Sequence, residues 1–182
     1  MKSVLISIQP KWCELIASGE KTVEVRKTKP KLETPFKCYI YETKDKHFAN
    51  MGYCWGDKNF FEHAIGKVIG EFVCDRIEYI GWLSNPTRLD WKNTYDKNSC
   101  LTNSQLYDYS NGDCFYEWHI SDLVIYDKPR ELSEFYVWKK CNSCRDTGYE
   151  STACCYDEDC RVPAVITRPP QSWCYVESED TE

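Results

Sequence analysis

The stretch Ser7 to Arg26, SIQPKWCELIASGEKTVEVR, constrains the fold more tightly than any other part of the chain. Val4 to Ile8 leads into it as a β-branched, apolar run that predicts a strand. Pro10 suits the first position of a helix, where a backbone N–H would have no partner in any case. Trp12, Leu15 and Ile16 follow at helical spacing and give one apolar face. Gly19 supplies the left-handed residue that ends such a helix. From Thr22 to Arg26 the chain alternates again and re-enters a sheet.

The second strand carries charge on both faces. Val23 and Val25 share one face, headed by Lys21, while Thr22, Glu24 and Arg26 share the other. Strict alternation therefore separates Lys21 from Glu24, and the two converge only if the Gly19 turn or a bulge re-aims Lys21. Lys21 is then either an ordinary lysine reaching for water or one held in a pocket.

Ser7, Gln9-Pro10, Trp12, Leu15 and the run Gly19-x-Lys21-x-x-Glu24-x-Arg26 resemble the signature of the ASCH domain. The end of the chain, Arg168-Pro169-Pro170-Gln171-Ser172-Trp173-Cys174-Tyr175-Val176, resembles the last strand of a phage and bacterial branch of that family. Weaker likeness extends through Trp118-His119-Ile120 and from Lys128-Pro129 to Phe135. The resemblance implies an α+β, PUA-like fold: a small, mostly antiparallel β-barrel with flanking helices. It implies an RNA- or nucleotide-binding module that works through a cleft beside the first helix. Arg26 would contact phosphate, Glu24 would accept hydrogen bonds from base or sugar, and Lys21 would sit at the floor. Trp12 is a stacking platform or, given Leu15 and Ile16 on its helix, a core residue. Ser7, Gln9 and Ser172 join the cleft if the first and last strands are neighbours.

The same resemblance implies an alternative, a small hydrolase acting on RNA or on a modified nucleoside. In its amidohydrolase branch the motif lysine works with a threonine at the position that Glu24 holds here. That nucleophile is missing, although Thr22 lies two residues earlier on the same face. Lys21 and Glu24 remain an acid–base pair provided burial leaves the amine neutral.

At 182 residues, with 42% hydrophobic and 15% aromatic content, residues 1–182 read as a single folded domain. Its interruptions are irregular insertions at about 43–63 and 81–103 and a Cys-rich loop at 141–160. No apolar run approaches the roughly 20 residues of a membrane span, and no signal peptide is expected, so the location implied is cytoplasmic. The net charge of −6 disfavours strong non-specific phosphate binding. It is unevenly spread: residues 1–40 carry eight Lys/Arg against four Glu. Lys21, Arg26, Lys27, Lys29 and Lys31 either form a local positive groove or, from Lys27 on, a solvated loop.

Further along, Lys37 to Glu42 reads as a third strand and Ala64 to Ile80 as the longest one, with Gly66 and Gly70 at bulges. Thr102 or Ser104 caps a short helix through Tyr107. Cys114 to Tyr126 returns to strand, Asp127-Lys128-Pro129 is a turn, Leu132 to Phe135 is a helical turn, and Trp173 to Val176 closes the sheet. His47, His63 and His119 form no nucleophile motif, His119 reading as structural, and no phosphate-binding glycine loop is present.

Of twelve cysteines, Cys13, Cys38, Cys54, Cys74, Cys100, Cys114 and Cys174 are scattered and read as small hydrophobes. The remainder cluster. Cys141-x2-Cys144, followed by Cys154, Cys155 and Cys160, fits a four-thiolate structural zinc site made of Cys141, Cys144, Cys155 and Cys160, with Cys154 as spare or substitute. Free thiols, a disulfide and an iron–sulfur cluster compete with it. A protein partner meeting this knuckle and the acidic C-terminal half is a further reading.

Overall fold

The computed structural model describes residues 2–44, 65–81, 95–140 and 161–178. The leading stretch forms the expected unit: β1 (Ser3–Ile8), α1 (Pro10–Ala17) and β2 (Val23–Arg26). Every residue of β1 is buried, as befits a central strand. Helix α1 buries Pro10, Cys13 and Ile16 against the sheet, with Trp12 half-buried at the core's margin.

The rest adds β3 (Phe36–Glu42), β4 (Val68–Ile80), β5 (Tyr95–Asp96), β6 (Leu101–Thr102), α2 (Asn103–Ser110) and β7 (Phe115–Arg130). A short 3-10 turn, Leu132–Glu134, then leads into β8 (Phe135–Lys140), β9 (Arg161–Val165) and β10 (Trp173–Ser178). Eight strands pair in the order β2-β7-β4-β3-β1-β10-β8-β9, and β5 pairs with β6 in a small ribbon. Among the described residues only β1 and β3 run parallel; the other pairings are antiparallel. The sheet does not close, since β2 and β9 remain edges, so the architecture is an open curved sheet with two helices rather than a sealed barrel.

Curvature comes from register shifts in β4, at Val68/Gly70, Glu71/Val73 and Cys74/Ile77. Gly70 is required at the first, because a Cβ there would run into the Val124 carbonyl oxygen. Gly66, by contrast, lies in the turn ahead of the strand with φ +83°, not in a bulge. Asp127-Lys128-Pro129 is not a turn. It falls inside β7, within the shift between the partners Gly70↔Ile125 and Val68↔Arg130, where a proline need not donate to the ladder.

β10 also departs from expectation. It does not close the sheet but lies inside it, between β1 and β8. The core has two main parts. Ile6, Ile8, Cys13, Ile16, Ile40, Phe72 and Trp118 fill one, and Leu5, Tyr39, Phe135 and Val176 the other. Cys13, Cys38, Cys74 and Cys100 are buried thiols, and Cys114 and Cys174 are half-buried. No helix among the described residues is long and apolar enough to cross a membrane.

Candidate functional site

Gly19, at φ +77°, ends α1 and turns the chain so that Lys21 precedes β2 instead of heading it. The Lys21 N–H donates to the Leu15 carbonyl at 2.8 Å, and the N–H groups of Thr22 and Val23 both reach the Asn98 carbonyl. Strand alternation therefore does not govern Lys21, and its side chain swings to the Glu24 side. Nζ lies 3.4 Å from Glu24 Oε2, donates to the Ser99 carbonyl at 2.7 Å and sits 5.4 Å from the centre of the Trp12 ring. Glu24 Oε1 is 3.0 Å from an Nη of Arg26. That nitrogen donates to the Ser7 carbonyl at 2.7 Å, and the other Nη reaches Ser172 Oγ at 3.5 Å.

All three charges are nearly withdrawn from water: Lys21 is 3%, Glu24 7% and Arg26 8% exposed. Two cations share one carboxylate, so the cluster carries one surplus positive charge. Arg26 Nε is buried without a partner, which proteins seldom leave so. The neighbouring strands hold the frame rigid. Ser7 N–H donates to the Ser172 carbonyl at 2.9 Å and Ser7 Oγ to the Pro170 carbonyl at 2.6 Å. The last strand is thus beside the first, as the β1–β10 register requires.

Above the cluster opens a cleft of about 820 Å³. Ser7, Gln9, Trp12, Lys21, Glu24, Arg26 and Ser172 all line it. Helix α2 supplies the opposite wall with Gln105, Asp108 and Tyr109, which reading the sequence alone did not single out. The helix itself was legible: Thr102 caps it by accepting from the Gln105 N–H at 3.2 Å, and the Thr102 N–H donates back to Gln105 Oε1 at 2.9 Å. Which of its faces meets the cleft depends on contacts far apart in sequence. Burial raises the Tyr109 hydroxyl, while Arg26 and the Lys27 backbone N–H pull it the other way. The segment from Tyr95 to Asn103, expected to be irregular, is ordered and delivers the Asn98 and Ser99 carbonyls to this site.

Elsewhere, Glu78, Glu117 and His119 bring ligand atoms within 4.8 Å of one another. Arg76 is in that position already, with Nε 3.0 Å from Glu78 and Nη 3.2 Å from the His119 ring nitrogens, and supplies the positive charge a metal would bring. Cys141, Cys144, Cys154, Cys155 and Cys160 lie outside the described residues, as do Cys54, His47, His63, residues 45–63 of the first insertion and residues 82–94 of the second. The strands on either side of the Cys-rich loop pair to their ends, Lys140 opposite Arg161.

Comparison with known proteins follows the same lines. The chain resembles the crystal structure of ASCH from Zymomonas mobilis with a TM-score of 0.54 and 18% identity, covering 96% of this chain and 87% of that one. A serine-to-alanine variant of that protein matches with a TM-score of 0.54 and 18% identity, covering 96% of this chain and 88% of the other. At that identity the likeness concerns the fold. No curated protein matches the chain. The family model of the ASCH domain matches residues 6–132, well over half of the 182, and the chain belongs to the ASCH domain family.

Proposed function

We propose that the cleft binds a nucleotide unit of RNA. The observation that carries this reading is the Lys21–Glu24–Arg26 cluster. A buried charge is expensive to keep, and this fold keeps three with a positive surplus at the floor of a concavity. A phosphate would balance the surplus of the floor itself, with Arg26 as its contact and Ser172 and Gln9 as polar neighbours, which leaves Asp108 of the opposite wall to a donor group of the ligand. Trp12 and Tyr109 offer aromatic surface to a base. A volume of about 820 Å³ falls within the roughly 300–1,000 Å³ typical of small-ligand sites. ASCH domains in general bind RNA, which agrees with the reading.

The hydrolase alternative draws on the 3.4 Å contact between Lys21 and Glu24. Against it, each Glu24 oxygen already faces a cation and Lys21 already donates to a backbone carbonyl. Acid–base work would require one of these contacts to be given up, so binding is the better-supported reading.

Titration of a labelled single-stranded RNA pool, with recovery of the RNA on a denaturing gel, separates the two. Binding of intact RNA that Lys21→Ala/Arg26→Ala abolishes supports a reader. RNA cut by the wild type alone makes the protein a nuclease. If RNA is neither held nor cut, the RNA reading falls.

A structural zinc at Cys141, Cys144, Cys155 and Cys160 is proposed on their spacing alone. Elemental analysis should find one zinc per chain, lost in Cys144→Ser. A metal-free wild type purified under reducing conditions without chelator would refute it.

A further inference from the structure

Among the described residues, the lysines beside the cleft belong, with Lys2 and Lys11, to those that lie over an aromatic ring and face no carboxylate. Lys37, Lys67, Arg76 and Arg130 each sit within 3.0 Å of a glutamate oxygen. Lys27 and Lys29 lie over aromatic rings, 5.4 Å from the centre of Tyr109 and 5.8 Å from that of Tyr116, as Lys37 does over Tyr39 and Arg130 over Phe135. Neither Lys27 nor Lys29 forms an ion pair with a carboxylate among the described residues. Their charge is therefore unspent, although the chain holds 29 acidic residues against 23 basic ones.

These pairs continue the cleft. Tyr109 is part of its wall, and Lys27 follows Arg26 of its floor. Tyr116 is the cross-strand partner of Arg26, so it stands on the same face on the next strand, β7. Tyr79, 61% exposed, is the next partner again, with its ring centre 5.5 Å from that of Tyr116. The lysine-bearing segment is pinned as well. Trp173 Nε1 donates to Thr28 Oγ1 at 3.1 Å, and the Lys31 N–H donates to the Tyr175 hydroxyl at 2.6 Å. Two cation–ring pairs, Lys27 with Tyr109 and Lys29 with Tyr116, thus stand on the segment that follows Arg26 of the cleft.

Cations paired with aromatic faces suit one chemistry well, a single strand whose phosphates meet the lysines while its bases lie on the rings. We propose that the cleft is one end of a single-stranded RNA track, in which Lys27 with Tyr109 and Lys29 with Tyr116 hold the nucleotides adjoining the one in the cleft. This rests on the reading of the cleft as a nucleotide site and extends it: the ligand is an oligomer and not a free nucleotide.

The test compares the four nucleoside 5′-monophosphates with a random-sequence RNA octamer across a salt series, using the wild type, Lys27→Ala/Lys29→Ala and Arg26→Ala. Both lysines are exposed, so the double variant should melt with the wild type. Octamer should bind at least about tenfold tighter than any monophosphate. The double variant should weaken octamer binding and flatten its salt slope by about 1.4, at about 0.7 per phosphate contact, without changing monophosphate binding. The track is overturned if octamer binds no tighter than monophosphate, or if the lysine variant keeps the wild-type slope while Arg26→Ala loses binding. If Arg26→Ala, shown by melting to be folded, binds as the wild type does, the cleft reading itself fails and the track falls with it.

Discussion

The cleft beside α1 and the groove between β8 and β10 are similar in size, about 820 and 650 Å³, and differ in what they ask of the fold. The groove is lined by Lys2, Trp138, Arg161, Tyr175 and Glu177, all of them exposed or half-buried. The cleft has a lysine, a glutamate and an arginine almost wholly removed from water beneath it. Any fold acquires surface grooves where strands end. Three buried charges are retained only where geometry satisfies them, and they make poor stabilisers compared with apolar residues of equal size. The difference teaches that concavity alone is a weak guide here and that buried charge is the informative mark.

The largest test of this contrast is Glu24→Gln. It leaves Lys21 and Arg26 buried without their anion and should cost about 3–5 kcal/mol of stability by urea unfolding. A loss below about 1 kcal/mol would place the cluster with the surface pairs and dissolve the distinction.

Glu42 sharpens the comparison, being a buried carboxyl that lacks what Glu24 has. It is 1% exposed, and one of its oxygens has no partner. Burial, with Glu14 adding to it, pushes its carboxyl up to about 7 from an ordinary 4.5. A carboxyl raised on folding favours the native state most when protonated. Stability from this group is therefore complete below pH 4.5 and declines as pH rises through about 7, by about 3 kcal/mol. Glu42→Gln should remove that component, measured as the difference in unfolding free energy between pH 5 and pH 8. An unchanged pH profile would show that Glu42 is not the group responsible.

A smaller effect is expected at the wall of the cleft. Thr102→Ala removes the cap of α2 and should lower stability by about 1 kcal/mol. The smallest belongs to the exposed pairs: Lys67→Ala, which breaks the 2.8 Å contact with Glu131, should change stability by less than about 1 kcal/mol.

Much of the site was legible because its residues sit in one short stretch. The strand–helix–strand unit and Gly19 as its pivot could be reasoned out from residue types, whereas the nearness of Ser7 to Ser172 followed only from the resemblance to the family fold. The convergence of Lys21 on Glu24 could be posed but not decided, since it depends on the Asn98 and Ser99 carbonyls, about 75 residues away in sequence, holding Lys21 in place. The same distance hid Tyr109 and Asp108, which reach the cleft only because α2 packs Leu106 against Val25 and Phe115. Pro129 misled because a proline signals a break, and only the pairing partner shows whether the break is a turn or a bulge. Closure of the sheet depends on whether β2 and β9 meet, and no residue in either strand encodes that by itself.

The most direct test of the central claim is to follow backbone amide NMR shifts as a single-stranded RNA octamer is added. The account predicts shifts at Ser7, Gln9, Lys21 to Lys29, Asp108, Tyr109 and Ser172, with Val137, Trp138, Arg161 and Glu177 of the other groove unmoved. Shifts confined to that groove, with the residues around Lys21, Glu24 and Arg26 silent, would contradict it.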